Sequence, residues 1–288
     1  MEKTPFFKTD CPSCGAPVEA YSATAVTLVC GHCHSMLVVR KGKKKSGSIV
    51  SYTERDSALL EDFSPLQIGT RGVFVHRNFT LIGRLQVHYD VGVWNEWYAL
   101  FDDGLTGWLS EVGDLYAMTC EASGKAKGLP TTFESVRLGQ SSFELDGKTF
   151  VVSDARTIHY CNTDAQGELP FNLTAKKATG KVCDFRCGKL FLTIDFTVSP
   201  LTIYLGRVVS LNSLKLENLR SDDEIQASAG RLKGEIHAEA CPNCGASVHW
   251  PSGVTSFLLC SSCGSSLKTT KDTVELMKEN TARQDQQN

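Results

Sequence analysis

The stretch WNEWYALFDDGLTGWLSE, residues 94–111, decides how the surrounding chain folds. It contains two runs rich in aromatic and aliphatic residues, one on each side of Asp103-Gly104, a dipeptide that favours a tight β-hairpin turn. The runs predict strands at Trp97–Phe101 and Gly107–Leu109. The stretch therefore predicts an antiparallel hairpin with further β structure around it.

The same pattern extends outward from this hairpin. Short apolar runs separated by turn residues continue from Leu66 to about Leu216, and few stretches keep a helical period for ten residues. We therefore expect a mainly β domain, built as a barrel or as a sandwich-like pair of sheets. The other predicted strands are Gly72–His76, Phe79–Tyr89, Ser142–Leu145, Thr149–Ser153, Thr157–Tyr160, Leu190–Val198 and Thr202–Leu205.

A weak internal repeat lies within this region. Five positions recur with the same or a similar residue 71 residues later. A true duplication predicts two related small β modules, and chance similarity between two β-rich segments is the alternative. The paired positions are Phe79 and Phe150, Leu81 and Val152, Val87 and Ile158, His88 and His159, and Tyr89 and Tyr160.

Four cysteines near each end of the chain share one spacing: C-x-x-C, fifteen residues, then C-x-x-C. This spacing is typical of a tetrahedral zinc site, and unpaired thiols or disulfides are the alternative. Four thiolates leave no open coordination position, so we expect two structural Zn²⁺ sites without hydrolytic chemistry. The predicted ligands are Cys11, Cys14, Cys30 and Cys33, and Cys241, Cys244, Cys260 and Cys263.

These observations predict an order of segments along the 288 residues. Two zinc ribbons flank the central β domain, and polar stretches connect them. The predicted segments are an N-terminal ribbon at 9–39, a basic linker and short helix (54–62) at 40–63, the β domain at 64–217, a linker or helix at 218–238, a C-terminal ribbon at 239–270, and a disordered tail at 271–288.

Composition limits the compartment and the class of partner. The formal net charge is −2, which disfavours broad nucleic-acid affinity. The first residues do not resemble a signal peptide, and no apolar run approaches the length of a membrane span. Paired thiols at metal spacing suit a reducing compartment, so we expect the cytoplasm.

A basic stretch follows the first ribbon. It can contact phosphate on nucleic acid or on an anionic lipid headgroup, or it is simply a solvated tether. Residues 239–268, in the second ribbon, carry one lysine and no arginine, which argues against a nucleic-acid binder with two equivalent ribbons. The candidate phosphate contacts are Arg40, Lys41, Lys43, Lys44 and Lys45.

Aromatic and acidic residues concentrate around the opening hairpin. Trp94 and Trp97 are an odd number of residues apart, so a regular strand places them on opposite faces and can leave one exposed. Such a surface could bind a small cation or a peptide, and the carboxylates could serve a hydrolase. The alternative is an aromatic core capped by an acidic turn. The candidate residues are Trp94, Glu96, Trp97, Asp102, Asp103 and Trp108.

Other candidate sites are weaker. A third metal site could form from His159, Cys161, Cys183 and Cys187, although free buried thiols are the alternative. The sequence contains no nucleophile elbow, no phosphate-binding glycine loop and no HExxH motif, so no catalytic residue is predicted.

Six segments carry a resemblance to a known family. In order, they are LQIGTRGVF (66–74), FTLIGR (79–84), WNEWYALFDDGLTGWLSE (94–111), LDGKTFVV (145–152), GELPF (167–171) and YLGRVV (204–209). The central region with these segments resembles the bacterial domain of unknown function 4178.

The resemblance implies an arrangement but no chemistry. Proteins of this family often carry N-terminal zinc-ribbon segments, and their genes often lie near those for polyamine-synthesis enzymes and for proteins resembling phage-shock protein A. The resulting hypothesis is a non-enzymatic zinc-binding adaptor that contacts unidentified proteins in a membrane-stress or polyamine-linked assembly. A nucleic-acid binder, and a hydrolase or polyamine-binding β domain, are the alternatives.

Overall fold

The structure is a computed structural model and is mostly β, which confirms the predicted fold class. The structure describes the backbone of the residues given next and the side chains of most of them. The described residues are 4–41, 48–57, 59, 63–89, 92–113, 115–173, 179–229, 236–243, 245, 247–251, 256–259, 266–269 and 274–276.

The N-terminal segment is a small β unit with its own core. Two strands pair antiparallel, and the next three join the large sheet of the molecule. The last strand includes residues 54–56, so the helix predicted over 54–62 is wrong there. The strands are β1 (Phe7–Asp10), β2 (Pro17–Ala20), β3 (Thr27–Val29), β4 (Ser35–Lys41) and β5 (Ser48–Asp56).

The central region supplies most strands of the 14-stranded antiparallel sheet. The first half contains β6 (Arg71–Phe74), β7 (Arg77–Tyr89), β8 (Gly92–Phe101), β9 (Thr106–Val112) and β10 (Leu115–Glu121). The second half contains β11 (Ala126–Lys127), β12 (Ser142–Leu145), β13 (Lys148–Leu169), β14 (Thr179–Cys187), β15 (Leu190–Asp195) and β16 (Thr202–Val209).

Strand pairing closes the central region into a ring. β7 to β10 pair in sequence order, and so do β13 to β16. The halves then meet twice, through β7 with β13 and through β10 with β16. The result is a closed ring of eight antiparallel strands, consistent with the barrel option.

The two halves repeat one pairing register. Arg71 lies opposite Thr80 in the first half, and Ser142 lies opposite Val151 in the second. The partner strands also shift register at matching places, after Leu81 and after Val152. The spacing between the halves equals that of the sequence repeat, so the structure supports two related β modules.

The repeat gives the ring an approximate twofold axis. Where β7 meets β13, His88 lies directly opposite His159, its own repeat partner. Each half also packs its own apolar cluster, with Phe79 in one cluster and Phe150 in the corresponding place of the other. The halves are therefore alike in backbone and in the position of their cores.

Short helical elements accompany the ring. A 3₁₀ helix at Phe133–Ser135 lies between β11 and β12, and another at Leu211–Leu214 follows β16. An α-helix, α1 (Asp222–Ala229), lies within the predicted 218–238 segment. The Ser221 hydroxyl accepts the Glu224 backbone N–H (3.3 Å), and the Glu224 carboxylate accepts the Ser221 N–H (2.8 Å), a capping box that begins this helix.

The C-terminal segment is again β in its described parts. Its strands form one two-stranded and one three-stranded sheet. No helix in the described part of the chain is long and apolar enough to cross a membrane. The strands are β17 (Ile236–Ala240), β18 (Ser247–Pro251), β19 (Ser256–Leu259), β20 (Ser266–Thr269) and β21 (Val274–Leu276).

Candidate functional site

The four N-terminal cysteines converge on one point. Cys11 and Cys14 flank a tight turn in which the Gly15 N–H donates to the Cys11 carbonyl (2.8 Å). Cys30 and Cys33 lie on the facing turn between β3 and β4. All four sulfur atoms lie within 4.8 Å of one another. This is the one group of three or more metal-ligating side chains found among the described residues.

The sulfur geometry fits a tetrahedral ion. The Sγ atoms of Cys11 and Cys33 are 3.7 Å apart, and so are those of Cys14 and Cys30. Four sulfurs at the usual Zn–S distance of about 2.3 Å define a tetrahedron with an edge of about 3.8 Å. The cluster could therefore bind one metal ion with all four thiolates, which leaves no open position for water.

Local hydrogen bonds prepare one of these ligands. The hydroxyl and backbone N–H of Ser35 lower the pKa of the Cys33 thiol to about 6. A thiolate is the form that binds a metal.

Around the centre, the knuckle tips at Pro12, Ser13, Gly31 and His32 are exposed. The cluster is thus buried on one side and presents two small turns to solvent on the other.

The C-terminal cysteines are described only in part. Cys241 is buried, and the Gly245 N–H donates to its carbonyl (2.8 Å) in the same turn that Gly15 makes with Cys11. Gly15 and Gly245 share a φ of 75°, a left-handed conformation that favours glycine. Cys244, Cys260 and Cys263 lie outside the described residues, so the second zinc site stays a prediction.

The N-terminal unit is fixed to the ring through the far end of β13. Thr27 and Leu28 of β3 pair with Leu169 and Glu168. The Glu168 carboxylate accepts the backbone N–H groups of Tyr21 (2.9 Å) and Ser22 (3.1 Å). The ribbon is therefore joined to the large sheet through β3 and is not a separate arm.

Glu168 is also the most unusual acid of this contact. It is 2% exposed, and burial raises its pKa to about 7 although the Tyr21 and Ser22 N–H groups act in the opposite direction. Gly83 on β7 permits the close approach, because a Cβ there would lie 1.8 Å from the Glu168 carbonyl oxygen. The contact thus combines a strand pair, a buried carboxyl group and a required glycine.

A cleft of about 730 Å³ lies between the ribbon and the ring. Its size is in the range of small-molecule sites. Ribbon residues Lys8, Glu19 and Tyr21 form one wall, and Arg71 and Ile82 contribute to the other. Because the ribbon supplies a wall, loss of the ribbon fold would open this cleft.

The aromatic and acidic candidates are divided between two faces of β8. Trp97 is fully buried in the first-half cluster, whereas Trp94 is half-buried against the cluster on the opposite face. The two rings lie on opposite faces, as their odd spacing predicted, but neither ring is exposed. Trp97 cannot take part in an exposed ligand surface, because the first-half apolar cluster encloses it.

Trp97 belongs instead to a buried polar network. The Glu111 carboxylate accepts the Trp97 indole N–H (2.8 Å) and the Asn95 amide N–H (2.9 Å). Asn95 in turn accepts two N–H groups of Arg84, whose guanidinium lies 4.8 Å from the Trp97 ring. Glu111 therefore holds the core together and is not available as a surface carboxylate.

Trp94, Glu96 and Trp108 lie on the inner face of the ring. Glu96 accepts the Trp94 indole N–H (2.7 Å) and the Ser110 hydroxyl (2.8 Å). Burial raises the pKa of Tyr204 to about 12, and the nearby charges of Asp195 and Glu96 add to the rise. Glu96 on β8 thus acts on Tyr204 of β16 together with Asp195 of β15, so side chains from distant strands face a shared interior.

Tyr160 of β13 faces the same interior. Burial raises its pKa, and the carboxylates of Asp195 and Glu96 raise it further. Trp94, Glu96, Asp195 and Tyr204 are each half-buried, so the interior retains some access to solvent. The structure thus assembles acidic and aromatic side chains from strands that are distant in sequence.

Asp102 and Asp103 lie elsewhere, at the exposed turn between β8 and β9. Asp102 accepts an amide N–H of Asn78 (3.0 Å), and Asp103 pairs with Arg77 (3.3 Å). Asp102 is six residues from Glu96, about 20 Å along an extended strand. The grouping of these carboxylates as one hydrolytic site is therefore wrong.

Among the described side chains, the candidate third metal site does not assemble. Cys183 is buried in the second-half cluster, and Cys187 packs against that cluster. The two cysteines are four residues apart, which is about 13 Å along a strand. His159 lies opposite Thr179, four residues before Cys183. The side chain of Cys161 lies outside the described residues.

The basic stretch is described only at its start. Arg40 is exposed on β4. The side chain of Lys41, and Lys43, Lys44 and Lys45 entirely, lie outside the described residues. The proposed phosphate contact therefore stays a prediction.

Comparison with known proteins identifies the central region. A family model described as Domain of unknown function (DUF4178) matches residues 67–211, half of the chain. The chain belongs to this family. The match contains the whole of the eight-stranded DUF4178 ring, and the N-terminal cysteine cluster lies outside it. No curated protein and no solved structure matches the chain.

Some residues of the DUF4178 ring interior and of the ribbon contact were not among the candidates predicted from the sequence. Asp195 and Tyr204 follow the opening hairpin by about a hundred residues, and Glu168 lies outside the predicted strands. In the sequence, Phe191, Thr193 and Asp195 fall on one face of a predicted strand. This alternation is the local sign that Asp195 faces inward. Ring closure, which decides their neighbours, has no local signature.

Proposed function

We propose that this protein is a non-enzymatic zinc-binding adaptor of the bacterial cytosol, in which a zinc ribbon fixed to the DUF4178 ring presents a protein-binding surface. The supporting observation is the N-terminal cysteine cluster. Its sulfur spacing matches a tetrahedral ion, and four thiolates saturate that ion. A saturated centre stabilises a fold and leaves contact, not chemistry, as its role.

Zinc is the metal that best suits this centre. Tetrahedral sulfur sites are typical of zinc or of iron–sulfur centres, and two C-x-x-C turns facing one another form a ribbon around a single zinc ion. The core of this segment is small and includes ligand cysteines, so metal binding supplies much of its folding free energy. The C-terminal cysteines, by their identical spacing, add a second zinc.

The ribbon is positioned for contact. The pairing of Leu28 with Glu168 fixes its back to the ring, while Ser13 and His32 at the knuckle tips are exposed. Fixed, exposed turns lose little conformational entropy on binding, which favours recognition of a partner protein. A membrane-stress or polyamine-linked assembly is the proposed setting.

The test combines metal analysis with partner capture. Protein purified from its native cells should contain two zinc ions per chain. Affinity purification should recover a specific protein that is lost when Ser13 and His32 are both changed to Asp. The matched control is Lys148→Glu, an exposed charge change at the β12–β13 turn. Equal capture by the knuckle variant and the control would contradict the adaptor role.

A second function is supported by the interior of the ring. Glu96 and Asp195 supply negative charge among Trp94, Trp108 and Tyr204, a combination that binds organic cations through charge and through the aromatic faces. We therefore propose a small polyamine as a candidate ligand of the β domain. Titration with spermidine, followed by tryptophan fluorescence, should lose at least tenfold in affinity in Glu96→Gln. Asp103→Asn, at the distant turn, is the matched control and should bind normally.

A further inference from the structure

The sequence repeat keeps few identical residues. Between FTLIGRLQVHYD (79–90) and FVVSDARTIHYC (150–161), the identical positions are Phe, His and Tyr. Phe79 and Phe150 fill the two cores, so packing explains them. His88 and His159 are half-buried and exposed, so packing does not require them.

The ring brings these two histidines together. His88 on β7 lies directly opposite His159 on β13, so both imidazoles project from the same face. The Cβ atoms of such a pair are about 5 Å apart. The contact with Asp164 accounts for His88, but the described contacts give no reason for an exposed histidine opposite it. A shared ligand gives the pair a physical purpose.

Asp164 orients one member of the pair. Its carboxylate oxygen Oδ2 is 2.5 Å from Nε2 of His88, and Asp164 is 5% exposed. Metal-binding histidines commonly give one ring nitrogen to a carboxylate and the other to the metal. The contact occupies Nε2 of His88 and leaves its Nδ1 as the ligand atom.

We propose that His88 and His159 bind a divalent transition-metal ion across the β7–β13 junction, with Asp164 as the positioning residue for His88. Imidazole nitrogens suit Zn²⁺, Ni²⁺ and Cu²⁺, and bind zinc at about 2.0–2.1 Å. The exposed His159 ring reaches the ion by rotation of its side chain. Two protein ligands leave coordination positions for water, unlike the saturated cysteine centre.

The site is separate from the cysteine cluster in its residues and in its ligand chemistry. It therefore stands whether or not the ribbon acts as an adaptor. It also differs from the candidate third site, since it uses His88 and Asp164 in place of Cys161, Cys183 and Cys187.

The test uses full-length protein whose cysteine centres are already loaded with zinc. Ni²⁺ is titrated by isothermal calorimetry at neutral pH, with one additional ion per chain expected. His159→Ala, at an exposed position, should fold normally and weaken Ni²⁺ binding at least tenfold. His88→Ala should give a similar loss. Asp164→Asn should weaken binding about tenfold, as other carboxylate partners of metal-binding histidines do.

His76→Ala is the matched control, because it removes an exposed histidine from a turn of the same domain. It should leave the titration unchanged. Paramagnetic broadening by Ni²⁺ should appear at the His88 and His159 ring signals in NMR spectra and be absent at His76. Absence of an additional ion, full binding by His159→Ala, or an equal loss in His76→Ala would overturn the proposal.

Discussion

The two halves of the DUF4178 ring share a backbone plan but fill it differently. The first half places Arg84, Asn95 and Glu111 in a buried polar network beside Trp97. At the position that matches Trp97, the second half has Cys183 in an apolar cluster. The same strand register therefore tolerates either interior, provided that every buried polar group has a partner.

The hairpin turns of the two halves also share a backbone conformation but differ in their residues. Val75 and His76 form the turn of the first half with φ of 47° and 63°, and Asp146 and Gly147 form that of the second with 47° and 76°. Asp-Gly suits this left-handed turn, whereas a β-branched valine is strained in it. One backbone plan thus has a relaxed version and a strained one.

The largest expected effect comes from breaking the polar network. Glu111→Ala removes the carboxylate that accepts the Trp97 and Asn95 N–H groups, so both buried donors lose this acceptor. We expect a loss of about 3 kcal/mol or more in the free energy of unfolding, measured by urea denaturation. Cys183→Ala, a change at the matching cluster of the second half, should cost about 1 kcal/mol. A smaller cost for Glu111→Ala than for Cys183→Ala would contradict this account of the first half.

The next effect concerns the part of β13 that has no counterpart in β7. The folded-state pKa of Glu168 is raised to about 7, so its contribution to stability is complete below pH 4.5 and is lost as pH rises to about 7. The loss should reach about 3 kcal/mol in the wild type. Glu168→Gln should remove this slope.

Asp184 provides the internal reference for that experiment. Burial raises its pKa to about 6, which gives a slope of the same sign that persists in Glu168→Gln. Thermal or urea unfolding between pH 4.5 and 8 measures both. An identical pH profile in the wild type and the variant would show that Glu168 does not titrate as the structure indicates.

A smaller effect is expected from damaging the relaxed turn. Gly147→His, which copies His76 into the second half, forces a side chain into the left-handed region. We expect a loss of about 1 kcal/mol in the free energy of unfolding. The control is Gly147→Asn, which tolerates that conformation better and should cost less. Equal stability of the two variants would argue against backbone strain as the cause.

The smallest effect runs in the opposite direction. The double change Val75→Asp and His76→Gly gives the first half the turn of the second. We expect a gain of somewhat less than about 1 kcal/mol, because the strain of two non-glycine residues is relieved. Val75→Ile should give no gain. A loss of stability in the double variant would show that Val75 makes a contact that outweighs its strain.

Local features of this fold were predictable from the sequence. The strand Ser142–Leu145 was predicted with its observed bounds, and the cysteine spacing identified the N-terminal cluster, because both depend on a few neighbouring residues. The odd spacing of Trp94 and Trp97 correctly predicted opposite faces. The spacing did not show which of the two rings is fully buried, because that depends on what packs against each face.

The rest depends on contacts between distant segments. β13 was predicted as two strands, at Thr149–Ser153 and Thr157–Tyr160, yet it runs as one from Lys148 to Leu169 because β14, β7 and β3 each pair with part of it. The strand Leu115–Glu121 was not predicted, since its neighbours β9 and β16 determine its place. Ring closure likewise decides that Asp195 faces Glu96.

Because β13 is long, it connects the ribbon contact at its far end with the β7–β13 junction. Within a few residues it carries Asp164, which holds His88, and Glu168, which holds the ribbon. The backbone of β13 is continuous between these two contacts, although its pairing with β7 shifts register between Tyr160 and Ala165. Release of the metal from the cysteine cluster should therefore raise amide hydrogen exchange beyond the ribbon, first at Glu168 and then toward the β7–β13 junction.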